Sequence, residues 1–339
     1  MSNTQKKNVP ELRFPEFEGE WEEKQLGNII KVNSGKDYKH LDKGDIPVYG
    51  TGGYMTSVSE PLSEIDAVGI GRKGTINKPY LLEAPFWTVD TLFYCTPKKE
   101  TDILFILSLF RKINWKVYDE STGVPSLSKQ TINKINRFVP TNKEQQKIGK
   151  FFSKLDRQIE LEEQKLELLQ QQKKGYMQKI FSQELRFKDE NGNDYPDWTN
   201  ERLGEVTTVT MGQSPKSVNY TDNSNDTVLI QGNADIENGL INPRIYTREV
   251  TKLIQKDEII LTVRAPVGKL AMAQINACIG RGVCSIKGDK FLYYFLEWFA
   301  TQNKWIRFSQ GSTFESISGN DIRNIHIKIP VEDERTKII

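Results

Sequence analysis

Residues 11–27 read ELRFPEFEGEWEEKQLG and residues 184–204 read ELRFKDENGNDYPDWTNERLG. The tetrapeptide Glu11–Phe14 returns unchanged at Glu184–Phe187. After a four-residue insertion, Trp21, Leu26, Gly27 and Gly35 find counterparts in Trp198, Leu203, Gly204 and Gly212. Similarity held at a large, nearly fixed offset is the mark of a duplicated unit. The two halves also close alike. Between residues 115–148 and 305–338 the pairs Trp115/Trp305, Ser126/Ser316, Ser128/Ser318, Ile132/Ile322, Ile135/Ile325, Pro140/Pro330, Glu144/Glu334, Lys147/Lys337 and Ile148/Ile338 are identical. Chance would give roughly two such pairs, so one fold is used twice.

Between these shared ends the halves diverge. GTGGYMTSVSEPLSEIDAVGIGRKGT (residues 50–75) faces QGNADIENGLINPRIYTREV (231–250) and LTVRAPVGK (261–269). A common scaffold with different loops is the arrangement expected of two readers of different targets. Short apolar runs punctuated by Gly and Pro predict strands at Val32, 46–49, 67–70 and 93–95, then at 206–210, 228–230, 258–263 and 282–286. One apolar helix follows each set, over 102–115 and 290–305. The fold class is therefore α+β, with domains at 11–140 and 183–330 after a disordered tail at 1–10.

From Lys143 to Phe181 there is no Pro, and Gly175 is the one Gly after Gly149. Phe152, Leu155, Ile159, Leu166, Leu169, Tyr176 and Ile180 recur at spacings of three and four, interrupted by Glu162 and Lys173. This is the seam of a coiled-coil-type spacer helix over 141–182, about 60 Å long at the usual rise. Such a stripe needs a partner helix. The repeat places the start of one after Pro330, where VEDERTKII aligns with TNKEQQKIG; residues 331–339 are read as the start of a truncated second spacer, with about 30 further residues expected.

Composition excludes several classes. The 339 residues are 37% hydrophobic and 27% charged, with 47 Lys+Arg against 45 Asp+Glu. A net charge of +2 means that any nucleic-acid surface is local. No run reaches the roughly 18 apolar residues of a membrane helix and the N-terminus lacks a signal-like stretch, so a cytoplasmic protein is expected. Cys95, Cys278 and Cys284 lack ligand spacing, and with only His40 and His326 beside them they read as buried thiols rather than a metal site.

Catalytic motifs are missing or lack their context. Gly69, Gly71 and Gly74 spell G-x-G-x-x-G, but the strand-like PYLLEAPFW follows where a dinucleotide site needs a helix, so a glycine hairpin is expected. Asn77–Tyr80, NKPY, only approximates the tetrad of amino-methyltransferases. Nucleic-acid signals recur instead. Arg72 and Lys73 stand at a glycine turn, Arg264 and Lys269 flank APVG at the corresponding place in the second half, which matches Arg72 with Arg264, and Arg281 lies between two glycines. The loops at 121–130 and 311–320 carry Ser126, Ser128 and Lys129, and Ser316, Ser318 and Asn320. Lys36, Lys39, Ser214, Lys216 and Arg244 add cations and a hydroxyl. Arg and Lys beside small hydroxyl residues suit phosphate and base-edge contacts.

The opening LRFPEFxxxWxxxxLG, the Ser-Leu/Ile-Ser before an Ile-rich strand ending in Pro, and EQQKI at the start of the long helix resemble the specificity (S) subunit of type I restriction-modification enzymes. The resemblance covers essentially the whole chain, twice over. It implies two target-recognition domains, each reading half of a split double-stranded DNA sequence. It further implies spacer helices that dock two methyltransferase (M) subunits, with restriction (R) subunits associating through them. Adenine methylation and cleavage, with S-adenosylmethionine, ATP and Mg, then belong to the partners, and this chain is non-catalytic with no cofactor of its own. The recognition part of a fused restriction-methylation polypeptide, and a duplicated protein-binding adaptor, remain open beside it.

Overall fold

The computed structural model describes residues 8–305 and 316–339. The first seven residues of the expected tail and residues 311–315 of the second hydroxyl loop lie outside the described residues. Asn8, assigned to that tail, is tied in: its carbonyl accepts the Trp21 N–H at 2.9 Å. The chain divides into two compact units, and the division falls inside the long helix, between Lys165 and Leu166.

The first unit begins with β1 (Glu22–Gln25), the single turn α1 (Leu26–Ile29) and β2 (Ile30–Ser34). β3 (Ile46–Gly50), β4 (Gly53–Val58), β5 (Ala67–Gly71), β6 (Tyr80–Leu82), β7 (Trp87–Thr88) and β8 (Leu92–Pro97) follow. They form a four-stranded antiparallel sheet in the order β2-β8-β5-β6 and a three-stranded sheet β4-β3-β7, in which β3 and β7 run parallel. α2 (Ile103–Lys112), N-capped by Asp102, covers the larger sheet; α3 (Lys129–Lys134) and β9 (Asn136–Val139) lead to α4 (Asn142–Phe181). β9 returns to pair with β1, Glu22 opposite Val139. Every residue of β5 is buried, as a strand covered on both faces requires.

The second unit repeats this plan with longer insertions. It contains β10 (Thr199–Arg202), α5 (Leu203–Val206), β11 (Val209–Met211), β12 (Tyr220–Thr221), β13 (Thr227–Ile230), β14 (Ile236–Glu237), β15 (Leu240–Ile241), β16 (Tyr246–Thr247) and β17 (Leu253–Ile254). Then come β18 (Ile259–Thr262), β19 (Leu270–Met272), β20 (Ala277–Ile279), β21 (Val283–Ile286) and α6 (Lys290–Thr301), N-capped by Asp289. α7 (Gly319–Arg323), β22 (His326–Ile329) and α8 (Glu332–Ile338) close the unit. Among the described residues its sheets have six strands, β11-β21-β18-β19-β15-β14, five, β12-β16-β13-β20-β17, and two, β10-β22. The long apolar helices end alike, with Phe110 edge-on to Trp115 at 5.0 Å and Phe299 edge-on to Trp305 at 4.8 Å.

Three local expectations change. Val206, expected to open a strand, instead ends the helical turn 203–206 and the strand begins at Val209, because the Glu205 carboxylate takes up the Arg202 N–H and closes the turn. Gly69 and Gly71 lie inside β5; only Gly74 of the three has positive φ, +86°. Gly71 is required by close approach, since a Cβ there would stand 2.2 Å from the Thr75 carbonyl oxygen. In α4, Met177 and Phe181 are buried in the second core and Ile180 packs against it, with Phe181 stacked on Trp298 at 5.6 Å. Lys173, expected as a defect in the seam, pairs with Glu297 at 2.8 Å.

Candidate nucleic-acid interface

The divergent middles of the two units share a backbone framework that their side chains conceal. The Gly35 N–H donates to Leu92 O and the Gly212 N–H to Val283 O. Lys36 N–H meets Thr88 O as Gln213 N–H meets Ile279 O, and Val89 N–H meets Tyr49 O as Gly280 N–H meets Ile230 O. Leu92 N–H closes a turn onto Val89 O, and Val283 N–H closes the same turn onto Gly280 O. Both Gly35 and Gly212 are pinned beneath that turn, where a Cβ would lie 2.0 and 2.1 Å from the carbonyl oxygens of Val89 and Gly280. Residues 89–92 and 280–283 are therefore one turn in two copies.

Beside the turn stands a second matched pair. Lys73 bridges Ser126, and Arg264 bridges Ser316, each in antiparallel register. The next residues continue the match: Leu127 N–H donates to Arg72 O, and Ile317 N–H to Val263 O. The cation equivalent to Arg264 is thus Lys73. Arg72, which the glycine turn had suggested, falls opposite Val263. Its guanidinium leans over the Phe93 ring at 5.9 Å, where the Lys129 ammonium also lies, at 6.0 Å.

The first serine loop is braced from beneath. Asp119 Oδ1 accepts the N–H groups of Ser126 at 2.9 Å and Ser121 at 3.0 Å, and these bonds hold its carboxyl below the ordinary aspartate range. Glu120 is lowered likewise by the hydroxyls of Thr131 and Ser128. Ser128 and Ser318 cap α3 and α7 through bonds to the N–H groups of Thr131 and Asp321. In the second unit Ser214, Gln231, Asn233, Arg264 and Arg281 surround a pocket of about 180 Å³, and Ser214 Oγ takes the Arg281 N–H at 3.1 Å. Small, polar and doubly cationic, it suits an anionic or hydrogen-bonding group of a larger ligand.

Residues 18–171 and 195–339 each match the profile of the type I restriction modification DNA specificity domain. The chain belongs to this family. Two specificity subunits of Methanocaldococcus jannaschii type I restriction enzymes are among its relatives. MjaX is 30% identical over 251 residues, 70% of this chain and 59% of that protein. MjaVIII is 26% identical over 260 residues, 69% and 58% respectively. The chain thus spans less than two thirds of the length of the curated relatives it matches. The S subunit of a type I restriction-modification system from M. genitalium shares the fold, with a TM-score of 0.68 at 15% identity over 97% of this chain and 91% of that one. A chain from a study of complex assembly in a type I system gives 0.54 at 20% identity, over 97% and 90%.

The remaining candidate residues of this specificity-family chain fall into two groups. Lys36, Lys39 and Lys216 are exposed, the Lys216 N–H being anchored on Glu249 at 3.0 Å. Asn320 is exposed on α7, with its side-chain oxygen 3.4 Å from the Arg323 guanidinium. Lys269 instead turns its ammonium onto the carbonyls of Asn233 and Ile236, at 3.3 and 2.6 Å, and so holds the loop behind the pocket. Arg244 sits 4.0 Å from Asp235, whose carboxylate gathers the N–H groups of Gln231 and Gly232. Gln231 and Asn233 were not singled out from the sequence, because a Gln-Gly-Asn run in a divergent loop carries no motif. The three thiols are buried, and burial pushes Cys284 up to about 12. The larger cavity, about 1340 Å³, is walled chiefly by Phe14, Phe105, Leu109, Phe138, Phe151 and Phe152 at the start of α4, an apolar seat. No helix among the described residues is long and apolar enough to cross a membrane.

Proposed function

We propose that this chain is the DNA-recognition subunit of a type I restriction-modification assembly, in which each unit reads one half of a bipartite duplex target. The observation that supports this most is the matched edge. Lys73 with Ser126, and Arg264 with Ser316, hold the same place on one framework while the neighbouring side chains differ. A common phosphate grip with unlike base readers gives two half-sites of different sequence. On this reading Arg72, Lys129, Ser214 and Arg281 complete the contact surfaces, and α4 presents its apolar stripe to two methyltransferase subunits. Restriction subunits join through these. S-adenosylmethionine, ATP and Mg are held by those partners, which carry out adenine methylation and cleavage in the cytoplasm.

Methylome sequencing of cells carrying this chain with its methyltransferase subunit tests the proposal. A bipartite motif methylated at adenine is expected; a methylome without one would overturn it. A duplicated protein adaptor would instead show partner binding insensitive to salt, whereas DNA binding falls steeply as salt rises.

A further inference from the structure

Asp90 and Arg281 occupy the same position of the matched turn. Residues 89 and 280 are equivalent through their bonds to Tyr49 and Ile230, and residues 92 and 283 close the turn behind them. The backbone on either side has little freedom. A Cβ at Gly282 would lie 2.0 Å from Gln231 O, and the Arg72 and Val263 N–H groups hold the carbonyls of Thr91 and Gly282 at 2.8 and 2.9 Å. What differs between the units is the side chain presented, one acid and one guanidinium. Both residues are exposed, and among the described residues neither side chain has an ion-pair partner within 4.0 Å.

A phosphate contact cannot account for both, because a carboxylate at the place where the other unit puts a guanidinium would repel the backbone it should grip. Base edges accept either polarity. Guanine offers O6 and N7 to an Arg fork, while cytosine offers its N4 amino group to a carboxylate. The surroundings follow the same division. Arg281 shares its pocket with Gln231, whose amide oxygen faces Tyr220 Oη at 3.4 Å. In the first unit the residue after Tyr49, equivalent to Gln231, is Gly50, which leaves Asp90 without a competing amide.

We infer that residues 90 and 281 are matched base-reading positions of opposite polarity. Arg281 selects a guanine in the half-site of the second unit. Asp90 selects a base bearing an amino group, cytosine N4 or adenine N6, in that of the first. This rests on the two-reader function proposed above.

The test uses the full chain assembled with its methyltransferase subunit, presented with a randomised duplex library, and compares the unaltered chain with Arg281→Ala, Arg281→Lys and Asp90→Ala. Each Ala variant should lose about ten- to hundredfold discrimination at one base position of one half-site and keep the rest of the motif. Arg281→Lys, which can still reach O6 and N7 but without the planar fork, should relax the same position less than Arg281→Ala. The base lost in Asp90→Ala tells cytosine from adenine. Thermal melting of each variant should match that of the unaltered chain, since both side chains are exposed. Uniform weakening on all sequences with a shallower salt dependence would mark a phosphate contact and overturn the inference, as would an unchanged motif. If the unaltered chain itself selects no bipartite motif, the two-reader function fails and the inference falls with it.

Discussion

Arg186 and Glu334, 148 residues apart, form a forked ion pair, Nε to Oε1 at 3.2 Å and Nη2 to Oε2 at 2.7 Å. Arg13 and Glu144 form the same fork at 2.8 and 2.7 Å. In each unit the opening Trp adds a third bond, Trp198 Nε1 to Glu334 at 2.8 Å and Trp21 Nε1 to Glu144 at 3.2 Å. The arginine of ELRF, the following tryptophan and the glutamate that opens α4 or α8 are thus one buried cluster, assembled twice. Glu334 is fully buried and Glu144 is 1% exposed, so each carboxylate depends on its donors.

Removing the cation alone should therefore be costly. Arg186→Met leaves Glu334 charged and buried with one Trp donor, and is expected to destabilise the second unit by about 3–5 kcal/mol in urea unfolding. The double variant Arg186→Met with Glu334→Leu should recover most of this, less about 1–3 kcal/mol for the unpaired Trp198 Nε1. A double variant no more stable than Arg186→Met would refute the uncompensated-charge account.

How far the sequence could be read follows from where identity was needed. Arg13, Trp21 and Glu144 must fit one another, so their counterparts keep their chemistry and align by eye. The two-domain α+β plan and the long helix follow from them and from the heptad spacing. The turn at residues 89–92 needs only backbone bonds, so Asp90 and Arg281 share a position with no likeness to reveal it. The same loss of register in the middle paired Arg72 with Arg264 on charge, where the ladder pairs Lys73. Met177 and Phe181 were missed as core because the seam runs through Tyr176 and Ile180, one position away.

The pairing of Lys73 with Arg264 distinguishes two kinds of contact. Cations at a common place on a common framework should grip what every duplex shares. Lys73→Ala and Arg264→Ala are each expected to weaken binding to all sequences alike and to lower the slope of log K against log salt by about one. A change of preferred sequence with an unaltered slope would make them base readers instead.

The brace beneath Ser126 titrates. Asp119 lies below its ordinary value chiefly through the Ser126 N–H and then through that of Ser121. A depressed carboxylate contributes stability above its unfolded pKa and loses it as pH falls through the folded value. Protection of the Ser126 amide, taken relative to its intrinsic exchange rate at each pH, should therefore hold at neutral pH and fall in acid, below the normal aspartate range. Asp119→Ala should lack that protection at both. Protection of Ser126 unchanged in Asp119→Ala would sever the loop from its brace.

Independent units imply exchangeable ones. Replacing residues 11–140 with the equivalent domain of a relative should alter one half of the methylated motif and leave the other unchanged. The matched β1–β9 and β10–β22 pairs show that each unit closes on its own ends, so the graft keeps its frame. Methylome sequencing reads the result, and a motif altered in both halves would mean that the units do not read separately.

The stripe on α4 gives the last expectation. Phe152, Leu155, Ile159, Leu166, Leu169 and Tyr176 are each more than two-fifths exposed, a run of apolar side chains along one helix that association would relieve. Leu166, at 57% exposure, contributes little to either core, and a surface change there should move stability by no more than about 0.5 kcal/mol. Leu166→Asp sets a charge in the stripe without disturbing what the two units bury. The unaltered chain is expected to sediment as a complex with its methyltransferase subunit and to self-associate without it. Leu166→Asp should abolish both while the melting of the two units stays the same. An unaltered chain that remains strictly monomeric alone, together with a Leu166→Asp variant that still assembles with its partner, would show that the stripe is not where subunits meet.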